Sequence, residues 1–506
     1  MKEKLKSFLF LIAIAVAGHL IAHKMFDIPN QMEMVVFVAL ILFYPVMRSP
    51  VFGVKALFII VPFIPFIRRL YYLAFSRPKI DPLIMIGELI IAFIFLGLFF
   101  EFRERQKEQS DAFYMRLISL YFIYLLLRVF LFNITPTATA LAKFKYYGPA
   151  VLLFFIGMYY AEKISLLKFI WAVTIVLGVA GTLYGIKQLY IGYSAAEKVW
   201  INSISFSTLA IEGVVRPFSI FIAPVTFADY LQLATIGILM YWFWGDKSHR
   251  ILVFALVPLF FFSVLITSVR SSWIGMVASL MLWFLVVNVK GRKKRIAIIL
   301  IMGLGYVFFE LISEMFNAGG IGNLIKFATG GLGGDKYISL LVAERSTAVT
   351  NPFEEHSFVS RMALWRYLLY LSKEPVNALM GRGLGALKAD SLYFTYFAEF
   401  GYPGVLFIIT IFILFVRKGF QIIDNSIDRN HVILAKGITV MNIVFALVSI
   451  TGTHIHNFPG DIYFWFWNGV LIKIGIMEER CDLTAETEGG DVSGAIPAGQ
   501  LSGQHE

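Results

Sequence analysis

The sequence predicts an all-α fold, a polytopic bundle of transmembrane helices, and three observations predict it. Only 15% of the 506 residues are charged, whereas 58% are hydrophobic and 16% aromatic; a soluble domain carries about 25% charged residues. Apolar runs near the ~17–25 residues that a helix needs to cross a bilayer recur along the whole chain. Basic residues gather in short turns between those runs, as the positive-inside rule describes.

The runs fall at roughly 7–22, 33–47, 51–67, 83–100, 115–133, 148–161, 166–185, 222–244, 250–268, 272–289, 296–312, 391–415, 432–451 and 459–475. They predict about 12–14 spans, the lower number applying if the proline-flanked pieces within 33–67 are half-helices. Met1-Lys2-Glu3-Lys4-Leu5-Lys6 and the apolar residues to Ala22 resemble a signal peptide, with Ala15-Val16-Ala17 as small residues for cleavage. With so many spans following, this run reads as the first of them.

Orientation follows from the densest basic turn, Gly291-Arg292-Lys293-Lys294-Arg295, which belongs in the cytoplasm. Counting from it places Asp246-Lys247-Ser248-His249-Arg250, the stretch Glu101 to Arg116, Glu162-Lys163, Arg417-Lys418 and both termini inside. Arg68, Arg69, Arg77 and Lys79 break the rule by falling outside; either the span count near the N-terminus differs from this one, or these cations have a task on the outer face.

A large extracytoplasmic loop covers 313–390, with glycine pairs at Gly319-Gly320, Gly330-Gly331 and Gly333-Gly334. Within it Ser360 to Lys373 reads as an amphipathic helix, with Met362, Leu364, Trp365, Leu368, Leu369 and Leu371 among basic residues. Such a helix lies on the membrane or caps the bundle. The chain therefore divides into an N-terminal transmembrane bundle (1–312), the loop (313–390), C-terminal transmembrane helices (391–476) and a polar tail (477–506) expected to be disordered and cytoplasmic.

Composition also excludes. The net charge of +11 reflects positive-inside loops, not nucleic-acid binding. Cys481 is the one cysteine, so no internal disulfide forms and a cysteine metal site is not expected. His454-x-His456 alone is not a metal site, and no cofactor is expected. The glycine turn Gly381 to Gly385 is no nucleotide loop, because no parallel-strand pattern precedes it.

The polar residues that stand out fall on one side of this topology. They are Arg216 before the run at 222–244, Arg270 between two apolar runs, Arg361 at the start of the surface helix, Arg382 in the glycine turn, and Asp390-Ser391 before the run at 391–415. An arginine held within the membrane costs about 2.5–3.5 kcal/mol on insertion scales unless water or an anion relieves it. A lone arginine commonly snorkels to the headgroups. Several arginines with a carboxylate on one face instead suit a lipid-linked phosphate or pyrophosphate with a base beside it.

Four blocks in order carry a resemblance. Arg216-Pro217-Phe218-Ser219 with Pro224 and Phe227-Ala228-Asp229-Tyr230-Leu231 comes first, with Ser219 where a glycine is frequent. Thr267-Ser268-Val269-Arg270-Ser271-Ser272 follows, with Val269 where a serine is common. Next come Ser360-Arg361, Trp365, Glu374-Pro375 and Gly381-Arg382-Gly383-Leu384-Gly385. Last is Asp390-Ser391-Leu392-Tyr393-Phe394 through Glu399-Phe400-Gly401-Tyr402-Pro403-Gly404. Together they resemble the O-antigen ligase and polymerase superfamily of bacterial envelope glycosyltransferases.

The resemblance implies a metal-independent enzyme of the cytoplasmic membrane with an extracytoplasmic active site. It would transfer a growing glycan from polyprenyl pyrophosphate to a lipid-linked repeat unit, with inversion at the anomeric carbon. Arg216, Arg270, Arg361, Arg382 and Tyr393 would bind substrate, and Arg270 and Asp390 would be catalytic. Ligases of the family usually carry histidine–asparagine where this chain has Asp390-Ser391, which favours a polymerase and leaves the base open between Asp390 and His454 or His456. Both histidines otherwise read as interfacial. Expected partners are the lipid-linked glycan, membrane lipids and a chain-length regulator, and no nucleic acid. The rivals are ligase-type transfer of finished glycan to lipid, teichoic acid or protein, and a flippase for the lipid-linked oligosaccharide.

Overall fold

The computed structural model describes residues 39, 41–75, 81–105, 112–131, 135–203, 209–211, 214–245, 247–286, 289, 291, 294–295, 356–371, 373–387, 389–457 and 459–490. The runs expected at 7–22 and 296–312, and loop residues 313–355, lie outside them.

The elements are α1 (Pro50–Ile60), continued through the turn Val61–Phe63 into α2 (Ile64–Phe75), then α3 (Ile86–Arg105), α4 (Ala112–Phe130), α5 (Thr137–Tyr160), α6 (Ile164–Tyr190) and α7 (Ala195–Ser203). A two-residue antiparallel ladder, β1 (Ala210–Ile211) with β2 (Val214–Val215), precedes α8 (Pro224–Trp244), α9 (Lys247–Ile266) and α10 (Arg270–Met281). Then come α11 (His356–Leu371), α12 (Pro375–Met380), α13 (Leu392–Asn425), α14 (Arg429–Val448) and α15 (Gly460–Gly490). The fold is a helical bundle, as expected. Among the described residues five stretches are long and apolar enough to cross a membrane: Pro50–Ala74, Phe113–Phe130, Ile164–Tyr190, Leu392–Asn425 and Arg429–Val448.

Proline marks several helix starts, where its missing N–H leaves no bond unmade. Pro50, Pro224 and Pro375 occupy first-turn positions of α1, α8 and α12. Asp428 caps α14 by accepting from the Asn430 amide at 2.7 Å. The long helix α13 breaks at Gly401, where φ is +69°.

Helix α15 runs against α5, and the reason is local. A side chain at Gly157 would strike the Phe466 carbonyl, and one at Gly469 would strike the Phe154 carbonyl. The two helices thus touch backbone to backbone through reciprocal glycines, the small-residue packing that membrane bundles use when hydrophobicity no longer draws helices together. Beside this contact Trp171 stacks on Trp467 at 4.7 Å, and the Thr174 and Tyr463 hydroxyls meet at 2.8 Å. Asn442 and Asn468 exchange amide hydrogen bonds of 2.7 and 2.9 Å between α14 and α15. The C-terminal transmembrane helices thus pack directly against helices of the N-terminal bundle.

Helix α8 is enclosed: Thr226 to Met240 are all buried. Thr226, Asp229, Gln232 and Thr235 recur every third residue along it, a polar stripe that would be costly against lipid. Inside the bundle the Gln232 amide donates to the Ser272 carbonyl of α10 at 3.0 Å.

One end of the bundle is fastened by charges. Arg295 makes two hydrogen bonds to Asp424, of 2.7 and 2.6 Å. Lys418 reaches Glu479 at 2.6 Å, and Ser426 and His431 bind Glu478 at 2.8 and 2.5 Å. These contacts correct one expectation. The segment 477–506 is helical through Gly490, because Glu478 and Glu479 anchor the extension of α15 to α13 and α14; residues 491–506 lie outside the described residues. The surface helix does cap the bundle. Leu364, Leu368 and Leu371 pack with Phe394, Phe397 and Ala398, and Trp365 stacks on Phe394 at 4.7 Å. Leu369 is half exposed on its other side.

Gly157→Leu would force a side chain into the Phe466 carbonyl and separate α5 from α15. The expected destabilisation is at least ~3 kcal/mol, beyond ordinary overpacking. Size-exclusion chromatography in detergent should show loss of the monodisperse species, and a wild-type profile would refute the backbone contact.

Candidate functional site

Four segments meet at the end of the bundle opposite the Lys418–Glu479 contacts. They are residues 216–223 leading into α8, the turn before α10, residues 389–391 leading into α13, and the turn between α14 and α15.

The first segment is held in an unusual shape. Ser219 has φ of +54°, in the left-handed region that glycine favours. Its surroundings dictate this. The Ser219 amide donates to Gln188 Oε1 at 2.7 Å, its hydroxyl donates to the Gly181 carbonyl at 2.5 Å, and its carbonyl accepts from Arg69 at 2.5 Å. Arg69 also donates to the Phe221 carbonyl and lies over the Phe218 ring at 4.4 Å. Arg68 pairs with Asp81 at 2.5 Å and faces the Trp200 ring at 5.0 Å. Of the cations that broke the charge rule, Arg69 is therefore a buried staple for the loop that follows Arg216, and Arg68 is buried against Asp81 and Trp200. Arg77 and Lys79 lie outside the described residues.

Gln188 is itself held by Glu197 of α7. Burial pushes the Glu197 carboxyl up, but the hydrogen bonds from Gln188 and Ser194 and the Lys187 charge outweigh it and leave it below its ordinary value. Glu197 thus stays an ionised acceptor. Arg216 is buried, with its amide donating to the Leu209 carbonyl at 2.9 Å.

The second segment brings Arg270 to the first position of α10. Ser268 before it also has positive φ, +55°. The Thr267 hydroxyl donates to the Val264 carbonyl at 2.7 Å, and the Trp273 indole donates to the same carbonyl at 3.0 Å. Arg270 thus sits on a fixed turn.

The central feature is one the sequence reading underweighted. Asp229, on the polar stripe of α8, is buried and faces His454, also buried. His454 Nδ1 lies 2.8 Å from Asp229 Oδ1. Where the carboxylate is ionised it only accepts, so Nδ1 carries the hydrogen, and a neutral ring then keeps its lone pair on Nε2. Asn457 and Ser272 also donate to Asp229, at 3.4 and 3.3 Å. His454 Nε2 has no hydrogen-bond partner among the described residues. It faces Gly452, where any side chain would collide with the ring. The Gly452 carbonyl accepts from the Leu392 amide at 3.0 Å. Asp390 and Ser391 are thereby tied to the turn that carries the imidazole. Asp390 is exposed, whereas Ser391 is buried. The His454 Nε2 is buried, and an oriented histidine accepts a proton there from a hydroxyl brought against it.

The other expected site residues divide. Arg382 lies at the same end, but it lines a small apolar recess with Leu368, Leu371 and Phe397, and its amide donates to the Ala398 carbonyl at 2.8 Å. Its turn is organised by Glu399, which accepts from the Gly385 amide at 3.0 Å and from Tyr147 at 2.9 Å. The Tyr393 hydroxyl donates to the Ala446 carbonyl at 2.7 Å, fastening α13 to α14. Arg361 lies in α11 with its side chain outside the described residues. His454 is not interfacial as expected: a carboxylate within the apolar run of α8 was the signal that a buried partner exists.

His456 takes a different place. Its ring packs against Tyr147 at 4.1 Å and Tyr396 at 5.6 Å, and neither ring nitrogen has a hydrogen-bond partner among the described residues. Burial, and after it the Lys143 charge, pushes its imidazole well below the ordinary value. An unfolded histidine takes a proton near pH ~6.5. Below that, the unfolded chain binds more protons than the folded one, so stability falls with pH; above it the contribution is constant. The thermal unfolding midpoint in detergent should fall from about pH 7.5 to about pH 5.5. In His456→Phe, which keeps the ring contacts, the fall should be shallower, and an equal fall would refute this assignment.

Compared with known proteins, the chain matches no family model and no curated protein.

Proposed function

We propose that this protein is a metal-independent glycosyltransferase of the cytoplasmic membrane, with about 12–14 spans, both termini in the cytoplasm and its site on the extracytoplasmic face. It takes a growing glycan from polyprenyl pyrophosphate and transfers it to a lipid-linked repeat unit. The observation that carries the reading is the Asp229–His454 pair, whose buried and unpartnered Nε2 stands beside the Asp390–Leu392 segment at the end of the bundle that also bears Arg216 and Arg270.

In the step proposed, an acceptor hydroxyl attacks the anomeric carbon. Its proton passes to His454 Nε2, and the bond from that carbon to the pyrophosphate oxygen breaks with its electron pair staying on oxygen. Asp229 fixes the tautomer and stabilises the imidazolium that forms. Arg216 and Arg270 hold the diphosphate and stabilise the charge developing on it. Asp390, exposed at the rim, orients the acceptor, and proton abstraction moves from it to His454. Arg382 supports the turn beside the site.

Ligase-type transfer is a second reading, and one observation favours it. The preference for a polymerase rested on aspartate replacing the histidine of ligases, and His454 supplies a histidine base from another segment.

The test is purified protein with a synthetic polyprenyl-pyrophosphate-linked repeat, with products resolved on a gel. A ladder of longer oligomers supports polymerisation, and transfer only to an added glycan acceptor supports the ligase. His454→Ala should lower the rate about 10²–10⁴-fold, the range of lost general-base catalysis. Arg270→Ala should abolish product while the protein still inserts and elutes normally. Full activity in both variants would overturn the site.

A further inference from the structure

A second polar place lies inside the bundle. Between α2, α3, α5 and α15 is a cavity with about 60 Å³ of room for water-sized molecules. Each water needs about 10–15 Å³ on that measure, so the space suits a few waters or one small polar group. Arg68, Glu88, Lys145 and Asp461 line it, with apolar walls that include Ala150 and Ile222.

The charges do not cancel. Arg68 is paired with Asp81 at 2.5 Å, and Lys145 lies 3.6 Å from Glu88. Asp461 has no such cation among the described residues. It is 6% exposed, and it accepts from the adjacent Ile462 amide at 2.8 Å. Glu88 Oε2 is buried with no hydrogen-bond partner among the described residues. Asp461 therefore brings a carboxylate with no cation of its own among the described residues to this cavity, and Glu88 lies beside it.

The chemistry narrows the occupant. Among the described residues no group of three His, Cys, Asp or Glu could hold a metal ion. A primary ammonium brings one positive charge and three donors in a compact head, and its carbon stem suits the apolar walls. We propose that this cavity binds a primary ammonium group, borne by an aminophospholipid head or an amino sugar, with Asp461 as counter-ion and Glu88 as second acceptor. The cavity adjoins the candidate site, since Ile222 follows the carbonyl held by Arg69 and Asp461 follows the turn of His454. The inference does not depend on the glycan-transfer reading.

Binding of ethanolamine, glucosamine, choline and glucose to the full chain in detergent, followed by calorimetry, tests it. Saturable binding of a primary amine, with none for choline or glucose, supports the proposal. Asp461→Asn should weaken that binding about tenfold or more, as loss of a hydrogen bond to a charged group does. Ala150→Leu, which fills the cavity without changing charge, should abolish it and serves where Asp461→Asn does not fold. Reconstitution in phosphatidylethanolamine against phosphatidylcholine nanodiscs separates the sources: blocked ethanolamine binding only in the former identifies the lipid, and tighter glucosamine binding in both identifies the sugar. Absence of amine binding, equal binding of choline, or unchanged affinity in a folded Asp461→Asn or Ala150→Leu would overturn it.

Discussion

Asp229 is an acid less than two turns into a helix that the bundle encloses, and much of one end of the molecule is arranged to satisfy it. A buried carboxylate without partners is among the most costly groups a fold can contain. Here His454, Asn457 and Ser272 all donate to it. Meeting that demand brings the turn between α14 and α15 over the start of α8 and draws in the first turn of α10. A hydrophobic residue at this position would remove the reason for the turn to lie there. The oriented imidazole is thus a consequence of burying an acid.

The loop after Arg216 follows the same logic through backbone groups. Its carbonyls and amides point into the bundle, where water is excluded, and each needs a protein partner. Arg69 supplies two donors and Gln188 an acceptor, and together they hold Ser219 at positive φ. The backbone at this position requires the left-handed region, which glycine adopts most readily. Serine is tolerated because its hydroxyl finds the Gly181 carbonyl.

Legibility in the sequence tracked the strength of local pattern. The apolar runs at 166–185, 222–244 and 432–451 correspond to α6, α8 and α14 within a few residues, because long periodic segments declare themselves. The run at 148–161 hid the first turns of α5, where Lys143 and Lys145 mask a helix whose charges are paired inside the bundle. The extension of α15 to Gly490 was read as tail because its charged composition gives no hint of Lys418 and His431, which receive it. Arg270 and the 390–392 segment could be picked out by motif. The partnership of Asp229 and His454 spans more than two hundred residues and has no local signature. Tyr393 shows the converse, a motif residue whose hydroxyl is engaged between helices.

The charges of α5 connect these places. Lys143 and Tyr147 face Glu399 and His456, beneath the glycine turn of Arg382. Lys145, two residues from Lys143, faces Glu88 at the cavity of Asp461. Residues two apart on a helix point to different sides, so one short stretch of α5 separates two polar environments that would otherwise merge. Each lysine neutralises one carboxylate and leaves the same kind of remainder. Beside Lys143 it is the His456 imidazole, kept neutral. Beside Lys145 it is the Asp461 carboxylate, without a cation of its own among the described residues. A bundle built only for packing would place leucines at both positions. Two lysines here give up hydrophobic contact and set the charge on either side of α5 separately.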